Sequence, residues 1–209
     1  MYKGLSEFVA TLEKNGELIR IKHHVSSELE ITEITDRVSK LPNGGKALLF
    51  ENTGTNFPVL TNAFGSKKRI STALGLNSLE ELSKEINTIV AEITSPKNSF
   101  SEKFSTLGSL KKLSSIFPKI VKKGECQEIV HKNPDLSILP ILKCWPQDGG
   151  RFITLPLVNT RDPKTGIRNL GMYRMQVFEK NLTGMHWHKH KVGARHYAEY
   201  KELNKKIPV

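Results

Sequence analysis

The sequence predicts an α+β protein, with an α/β region over residues 1–123 and an antiparallel β region over residues 124–209. Three observations lead there. Before residue 95, three stretches carry apolar residues at helical spacing and alternate with short strand-like runs. After Gly124 the composition shifts to β-branched residues and prolines. That second half is also punctuated by turn signals at "DPKTG" and "NLTG".

Leu5, Phe8, Val9 and Leu12 stand at i, i+3, i+4 and i+7, so the chain is expected to open with an amphipathic helix that stops at Asn15-Gly16. "ELIRIKHHV" (17–25) alternates as a strand does. His23 and His24 at its end read as surface residues, because a neighbouring pair offers no third metal ligand. "ELEITEITDRVSK" (28–40) predicts a second helix, with Leu29, Ile31, Ile34 and Val38 apolar. A Leu-Pro-Asn-Gly-Gly turn follows, and "KALLFEN" (46–52) and "FPVLTNAF" (57–64) read as strands. "NSLEELSKEINTIVAEI" (77–93) predicts a third helix capped by Asn or Ser. The lysine-rich stretch from Ser95 to Lys123 reads as a helical connector.

Beyond Gly124, residues 126–150 read as strand and loop, and "RFITLPLVNTR" (151–161) as one strand. "DPKTG" is a turn with Pro at its second position and Gly at its end. "RNLGMYRMQVFEK" (168–180) reads as a strand, "NLTG" as a turn and "MHWHKH" (185–190) as a further strand. "GARHYAEYKELNKK" (193–206) starts a helix.

A length of 209 residues suits one or two domains and a real core. The excess of 32 basic over 21 acidic residues, a net charge of +11, suits an anionic partner such as nucleic acid, a membrane face or a phosphorylated cofactor. The lysines of residues 109–124 are most simply a solvated helix face. No run of 18 apolar residues exists, so no membrane span is expected. The opening residues are amphipathic and carry acids, unlike a signal or transit peptide. Cys126 and Cys144 lie too far apart for a zinc knuckle or a disulfide framework. The chain therefore reads as cytoplasmic.

Residues 169–197 are the chemically densest stretch, with four of the seven histidines and little acid. On a strand, Asn169, Gly171, Tyr173 and Met175 share one face and Leu170, Met172, Arg174 and Gln176 the other. His186, His188 and His190 share a face if their strand runs that far. An imidazole and an amide oxygen both offer neutral lone pairs to a divalent cation, and the amide favours a hard ion such as Mn²⁺ or Mg²⁺. Spacing alone leaves three readings open: a metal or cofactor site, a plain basic surface, and nucleic-acid contact through Trp187 and lysines. No Walker, Rossmann or G-x-S-x-G pattern is present.

"GRFITLPLVNTRDPKTGIRNLGMYRMQVFEKNLTGMHWHKHKVGARHY" closely resembles the central segment of the UbiD family. These are decarboxylases of the 3-octaprenyl-4-hydroxybenzoate carboxy-lyase type. The resemblance runs forward from the opening "LSEFVATLEKNGELIRI" through "NPDLSILPILKCWPQDGGRF", nearly the whole chain. It implies an N-terminal α/β domain, then the first part of a flavin-reductase-like split β-barrel that holds prenylated FMN. It also implies Mn²⁺, with K⁺ as a second candidate ion. Carried over by position, Asn169 and His190 match metal ligands. Met172, Tyr173 and Arg174 match one cofactor-contacting segment, and His186, Trp187, His188, Lys191 and Val192 match the other. Lys191-Val192 departs from the Arg-Gly that other members often carry, which implies a weaker and bulkier grip on the cofactor phosphate. Arg174 matches the catalytic arginine, whose fork can pair with a carboxylate as lysine cannot.

The reaction so implied is non-oxidative decarboxylation of an aromatic or α,β-unsaturated acid, by default a polyprenyl 4-hydroxybenzoate of ubiquinone biosynthesis. A flavin prenyltransferase would supply the cofactor. The resemblance leaves no place for nucleic acid as partner. It also places the third metal ligand, the two catalytic glutamates and an oligomerisation domain after Val209. The chain is thus expected to be an N-terminal portion, inactive alone and completed by a homo-oligomer's or another chain's C-terminal part. The alternative is a flavin-phosphate or metal-binding fragment without catalysis.

Overall fold

The computed structural model describes residues 2–94 and 120–209. Their contacts divide into two compact units. One takes residues 1–17 and 63–132, and the other takes residues 18–62 and 133–209.

The first unit is helical. Helix α1 (Leu5–Lys14) buries Phe8 and Leu12, as the i, i+3, i+4, i+7 spacing predicts. The Phe8 ring meets Tyr2 edge-on at 5.2 Å and stacks on Phe64 at 5.9 Å. A helix that the sequence reading missed comes next, α2 (Lys67–Leu74). The Ser66 hydroxyl accepts from the Arg69 amide at 3.2 Å, and Gly75, at φ 70°, closes the helix in the left-handed conformation. Its buried residues are Arg69 and Ser71 rather than an apolar stripe. Arg69, 1% exposed, pairs with Glu17 at 3.0 Å, and Lys68 reaches the same carboxylate at 2.8 Å. Helix α3 (Leu79–Thr94) follows where expected. The connector expected over residues 95–123 lies outside the described residues up to 119, and residues 120–123 are irregular.

The second unit is built on strands. Strand β1 (Leu18–His24) pairs parallel with β2 (Ala47–Asn52), and β2 pairs antiparallel with β3 (Val59–Thr61). A parallel pair needs a crossover. Helix α4 provides it, running over Glu30–Ser39 between the two strands in sequence. Central strand β2 reads Ala-Leu-Leu-Phe and all four residues are buried, as a strand covered on both faces requires. Val25, Ile31, Leu48 and Phe50 form the core, with Ile21, Ile34, Val38, Val59 and Leu142 packed against it. Leu29, expected within the helix, stands just before it at φ 68°. Its amide donates to the Lys143 carbonyl at 3.0 Å and so ties this sheet to the later chain.

That later chain carries five strands: β4 (Arg151–Ile153), β5 (Leu157–Arg161), β6 (Arg168–Met172), β7 (Met175–Glu179) and β8 (Leu182–Met185). They make a three-stranded sheet in the order β4-β7-β8 and a separate β5-β6 pair, all antiparallel. These sheets are small and do not close into a barrel among the described residues. Helix α5 (Val192–Glu202) follows.

Several element boundaries differ from the sequence expectation, each for a local reason. Residues 126–150 form 3-10 turns and loop, with one isolated bridge from Lys143 to Glu28. The strand expected over 151–161 is cut at Thr154-Leu155-Pro156, where Pro156 has no N–H to pair. The strand expected over 168–180 is cut at Tyr173-Arg174, because β6 pairs with β5 whereas β7 pairs with β4 and β8. "NLTG" is mostly strand, since the turn needs only Lys180-Asn181. "MHWHKH" is not a strand: β8 ends at Met185, and pairing continues only as the His186 amide donating to the Arg174 carbonyl at 2.9 Å.

Candidate active site

The cut at Tyr173-Arg174 sorts the candidate residues into two clusters, both within the second unit. Along β6 exposure alternates, with Asn169 and Gly171 turned inward and Leu170 and Met172 outward. Tyr173 continues the inward face and is buried. Its ring lies back over the strand because two glycines leave it room. A Cβ on Gly171 would fall 2.5 Å from Tyr173 Oη, and one on Gly193 would fall 2.9 Å from it.

The first cluster is a chain of hydrogen bonds around Asn169. Its side-chain nitrogen donates to Thr160 Oγ1 at 3.2 Å and to Tyr173 Oη at 3.3 Å. Tyr173 Oη also accepts from the Gly193 amide at 3.0 Å, which satisfies a donor at the start of α5 that has no partner inside the helix. Thr160 Oγ1 meets His196 Nδ1 at 3.0 Å, and both residues are buried. Beyond His196 stands Asp162. The amides of Thr165 and Lys164 hold its carboxyl below the usual aspartate range, donating to Oδ1 at 2.9 and 2.8 Å. Trp187 meets Tyr173 edge-on at 5.9 Å and Tyr197 at 5.6 Å.

The second cluster surrounds Arg174. Its guanidinium lies over the Phe152 ring, 3.6 Å from the centroid, and Nη2 pairs with Asp148 at 3.3 Å. The Arg174 side chain remains 39% exposed. His186 packs edge-on against Phe152 at 5.5 Å and meets Gln176 Oε1 at 3.3 Å. Gln176 is anchored in turn by donating to the Gly149 carbonyl at 2.9 Å. Met185, His186, Trp187 and His188 line an open depression of about 560 Å³.

His188, His190, Lys191 and Val192 are exposed, in the turn that leads into α5. The Lys191 amide donates to the His188 carbonyl at 3.0 Å, and Lys191 stands at the N-cap position of α5 without a side-chain capping bond. Among the described residues no three His, Cys, Asp or Glu side chains stand together as a metal cluster. The donor chemistry at Asn169 nonetheless fits a hard cation, because its nitrogen is committed twice and its oxygen carries no hydrogen bond among the described residues. Trp187, His186 and His188 give that depression an aromatic and imidazole lining, beside Met185.

Thr160, His196, Asp148 and Phe152 belong to these clusters and were not picked out from the sequence. For Thr160 the signal was present: β5 buries Val158 and Thr160 in alternation, and a hydroxyl at an inward position needs a partner.

Comparison with known proteins bears on the same residues. The family model for the 3-octaprenyl-4-hydroxybenzoate carboxy-lyase N-terminal domain matches residues 9–86. The model for the Rift-related domain of that carboxy-lyase matches residues 119–209. An uncharacterized protein of Aquifex aeolicus is 51% identical over 210 residues, covering 100% of this chain and 43% of that protein. The chain thus spans less than half the length of the curated relatives it matches. Vanillic acid decarboxylase of Sedimentibacter hydroxybenzoicus, in closed form, is 28% identical with a TM-score of 0.77, covering 99% of this chain and 42% of that one. The UbiD-class enzyme HmfF of Pelotomaculum thermopropionicum, in an evolved dimeric form with prFMN, shares the fold at a TM-score of 0.75 and 22% identity, over 99% of this chain and 43% of that one. With its two halves matched by consecutive domain models of one enzyme, the chain belongs to the UbiD family of 3-octaprenyl-4-hydroxybenzoate carboxy-lyases.

Proposed function

We propose that the chain forms the metal- and phosphate-holding part of a decarboxylase that acts on an aromatic or α,β-unsaturated carboxylic acid with prenylated FMN. A polyprenyl 4-hydroxybenzoate is the default substrate. The observation that carries this reading is Arg174, held by Phe152 beneath and Asp148 beside it while its side chain stays 39% exposed. A guanidinium so held meets a carboxylate with little ordering left to do, in a fork geometry that fits it. Support comes also from the solved relatives, one a vanillic acid decarboxylase and one in complex with prFMN.

When bound, the prenylated flavin supplies the electron sink for loss of CO₂. The chain's own residues place and neutralise its surroundings. Asn169 and His190 would hold Mn²⁺, or K⁺, against the cofactor phosphate, the first through its unbonded amide oxygen. Lys191 and the N-terminus of α5 favour the same anion. Met172, Tyr173, His186, Trp187, His188 and Val192 would border the ring system, and Arg174 would orient the substrate carboxylate. Residues 1–123 and 124–209 would be the two domains along the sequence, a division supported by the separate family matches over 9–86 and 119–209, although contacts group residues 18–62 with the later chain. A homo-oligomer, or a complementing chain, is supported by the dimeric form of the HmfF relative. Among the described residues no helix is long and apolar enough to cross a membrane.

The test is CO₂ release from aromatic acids by the assembled protein, co-expressed with a flavin prenyltransferase and Mn²⁺. Arg174→Ala should abolish release and leave the visible flavin band intact. Asn169→Ala or His190→Ala should lower Mn²⁺ content. Unchanged turnover in the Arg174 variant would sink the assignment.

A further inference from the structure

Arg174 shares Phe152 with a second polar group, His186. The Met175↔Met185 pairing of β7 and β8 brings the two residues level, and the His186 amide donates to the Arg174 carbonyl at 2.9 Å. Side chains paired in this way lie on one face, with Cβ atoms about 5 Å apart. Phe152 reaches the same face from β4, where it stands opposite Gln176. The guanidinium lies over its ring at 3.6 Å from the centroid, and the imidazole meets the ring edge-on at 5.5 Å.

Gln176 fixes which nitrogen of His186 carries a hydrogen. The two ends of the Gln176 amide are distinguishable because one meets a backbone carbonyl, which can only accept. Gln176 Nε2 donates to the Gly149 carbonyl at 2.9 Å, and turning the amide over would set two oxygens against each other. The backbone runs close at that point: a Cβ on Gly149 would fall 2.8 Å from Gln176 Nε2. The other end, Oε1, faces His186 Nε2 at 3.3 Å, and an amide oxygen also can only accept. Nε2 therefore carries a hydrogen. In the neutral ring Nδ1 is then bare, and among the described residues it has no hydrogen-bond partner. His186 is exposed and borders the open depression, so a ligand can reach the ring.

We propose that His186 is a specificity-determining residue and Gln176 the positioning residue that fixes it: Nδ1 accepts from a hydroxyl on the ring of the acid whose carboxylate meets Arg174. The site therefore favours an aromatic acid with a ring hydroxyl over an α,β-unsaturated or aromatic acid that has no donor to offer. The proposal rests on the reading of Arg174 as the carboxylate's partner. The acceptor at Nδ1 does not depend on it.

The test is equilibrium binding of 3- and 4-hydroxybenzoate, the matching methoxybenzoates and benzoate to the assembled protein with FMN, at about pH 8, above the ordinary imidazole value. A methoxy oxygen cannot donate. The better of the two hydroxy acids should bind roughly tenfold more tightly than its methoxy counterpart, as one hydrogen bond contributes. His186→Phe, which keeps an edge against Phe152, should bring that ratio to about one. Gln176→Leu should lower it, because a released imidazole can turn or change tautomer. The ratio is the readout, since a structural loss weakens every acid together. A ratio near one in the wild type, or one that survives in His186→Phe, overturns the specificity role, and a ratio that survives in Gln176→Leu overturns the positioning role. Loss of FMN affinity in His186→Phe with the ratio kept would assign Nδ1 to an N–H of the flavin ring and overturns the inference as well. Arg174→Ala that leaves the binding of every acid unchanged defeats the carboxylate reading instead, and the ratio still judges His186.

Discussion

Replacing Gly171 by alanine should dismantle the Asn169 cluster from behind. The new methyl would lie 2.5 Å from Cε2, Cζ and Oη of Tyr173, so the ring must retreat by about 0.9 Å to reach ordinary contact at 3.4 Å. The ring has little freedom to do so. It is 6% exposed, Trp187 stands against it, and its hydroxyl is tied to Asn169 and to the Gly193 amide. Overpacking of this kind costs about 1–3 kcal/mol. Each hydrogen bond lost from Oη adds about 0.5–1.5 kcal/mol. The sum is about 3 kcal/mol. With a urea slope of about 2 kcal/mol/M, the unfolding midpoint should fall by about 1.5 M. The same substitution in a Tyr173→Leu background should cost less than about 1 kcal/mol, because the clashing ring is gone and the two effects couple. A loss below about 0.5 kcal/mol in the wild-type background, or an equal loss in both, would refute the reasoning.

Arg174→Lys keeps the charge but not the planar fork over Phe152, so on the decarboxylase reading proposed above CO₂ release by the assembled protein should fall at least about tenfold with flavin content unchanged. Near-wild-type turnover would show that a positive charge alone suffices. In the helical unit, hydrogen bonds from Lys68 and Arg69 depress the Glu17 carboxyl below the ordinary glutamate value. A depressed folded-state value means that the stabilisation is complete above about pH 4.3, the unfolded value, and is lost as pH falls through the lower folded one. Acid titration of stability should therefore show a limb in that window that Glu17→Gln removes, and an unchanged limb would exclude Glu17 as its source. Ser66→Ala should cost about 1 kcal/mol through loss of the α2 cap, measurable by thermal unfolding. No shift would mean that the helix start is held by other contacts.

Where apolar residues recur at a fixed period, the sequence was readable. Leu5, Phe8 and Leu12 disclosed α1, and the Ala47–Phe50 run disclosed a covered strand. Helix α2 escaped because its inward residues are Arg69 and Ser71, so periodicity of apolar groups said nothing. Only the Ser66 and Gly75 punctuation marked it. In the candidate site, the inward set Asn169, Gly171 and Tyr173 followed from strand alternation. The switch of partners at Tyr173-Arg174 did not, because strand pairing is a long-range choice that leaves no local trace. Nor did Asp148 and Phe152, which reach Arg174 from a separate loop and strand.

That switch of partners has a consequence for how the region tolerates change in length. The group that faces the Asn169 amide and the group that faces the carboxylate are consecutive residues, with Cα atoms one peptide apart at about 3.8 Å. No loop intervenes to absorb an insertion or deletion there. A single added residue would turn Arg174 to the opposite side and leave Phe152 and Asp148 facing nothing. The turn at Lys180-Asn181, by contrast, belongs to neither cluster, whereas the 162–166 turn holds Asp162 through the Lys164 and Thr165 amides. Length variation in this part of the chain is therefore expected to collect at Lys180-Asn181, with the Tyr173-Arg174 step kept at a fixed spacing.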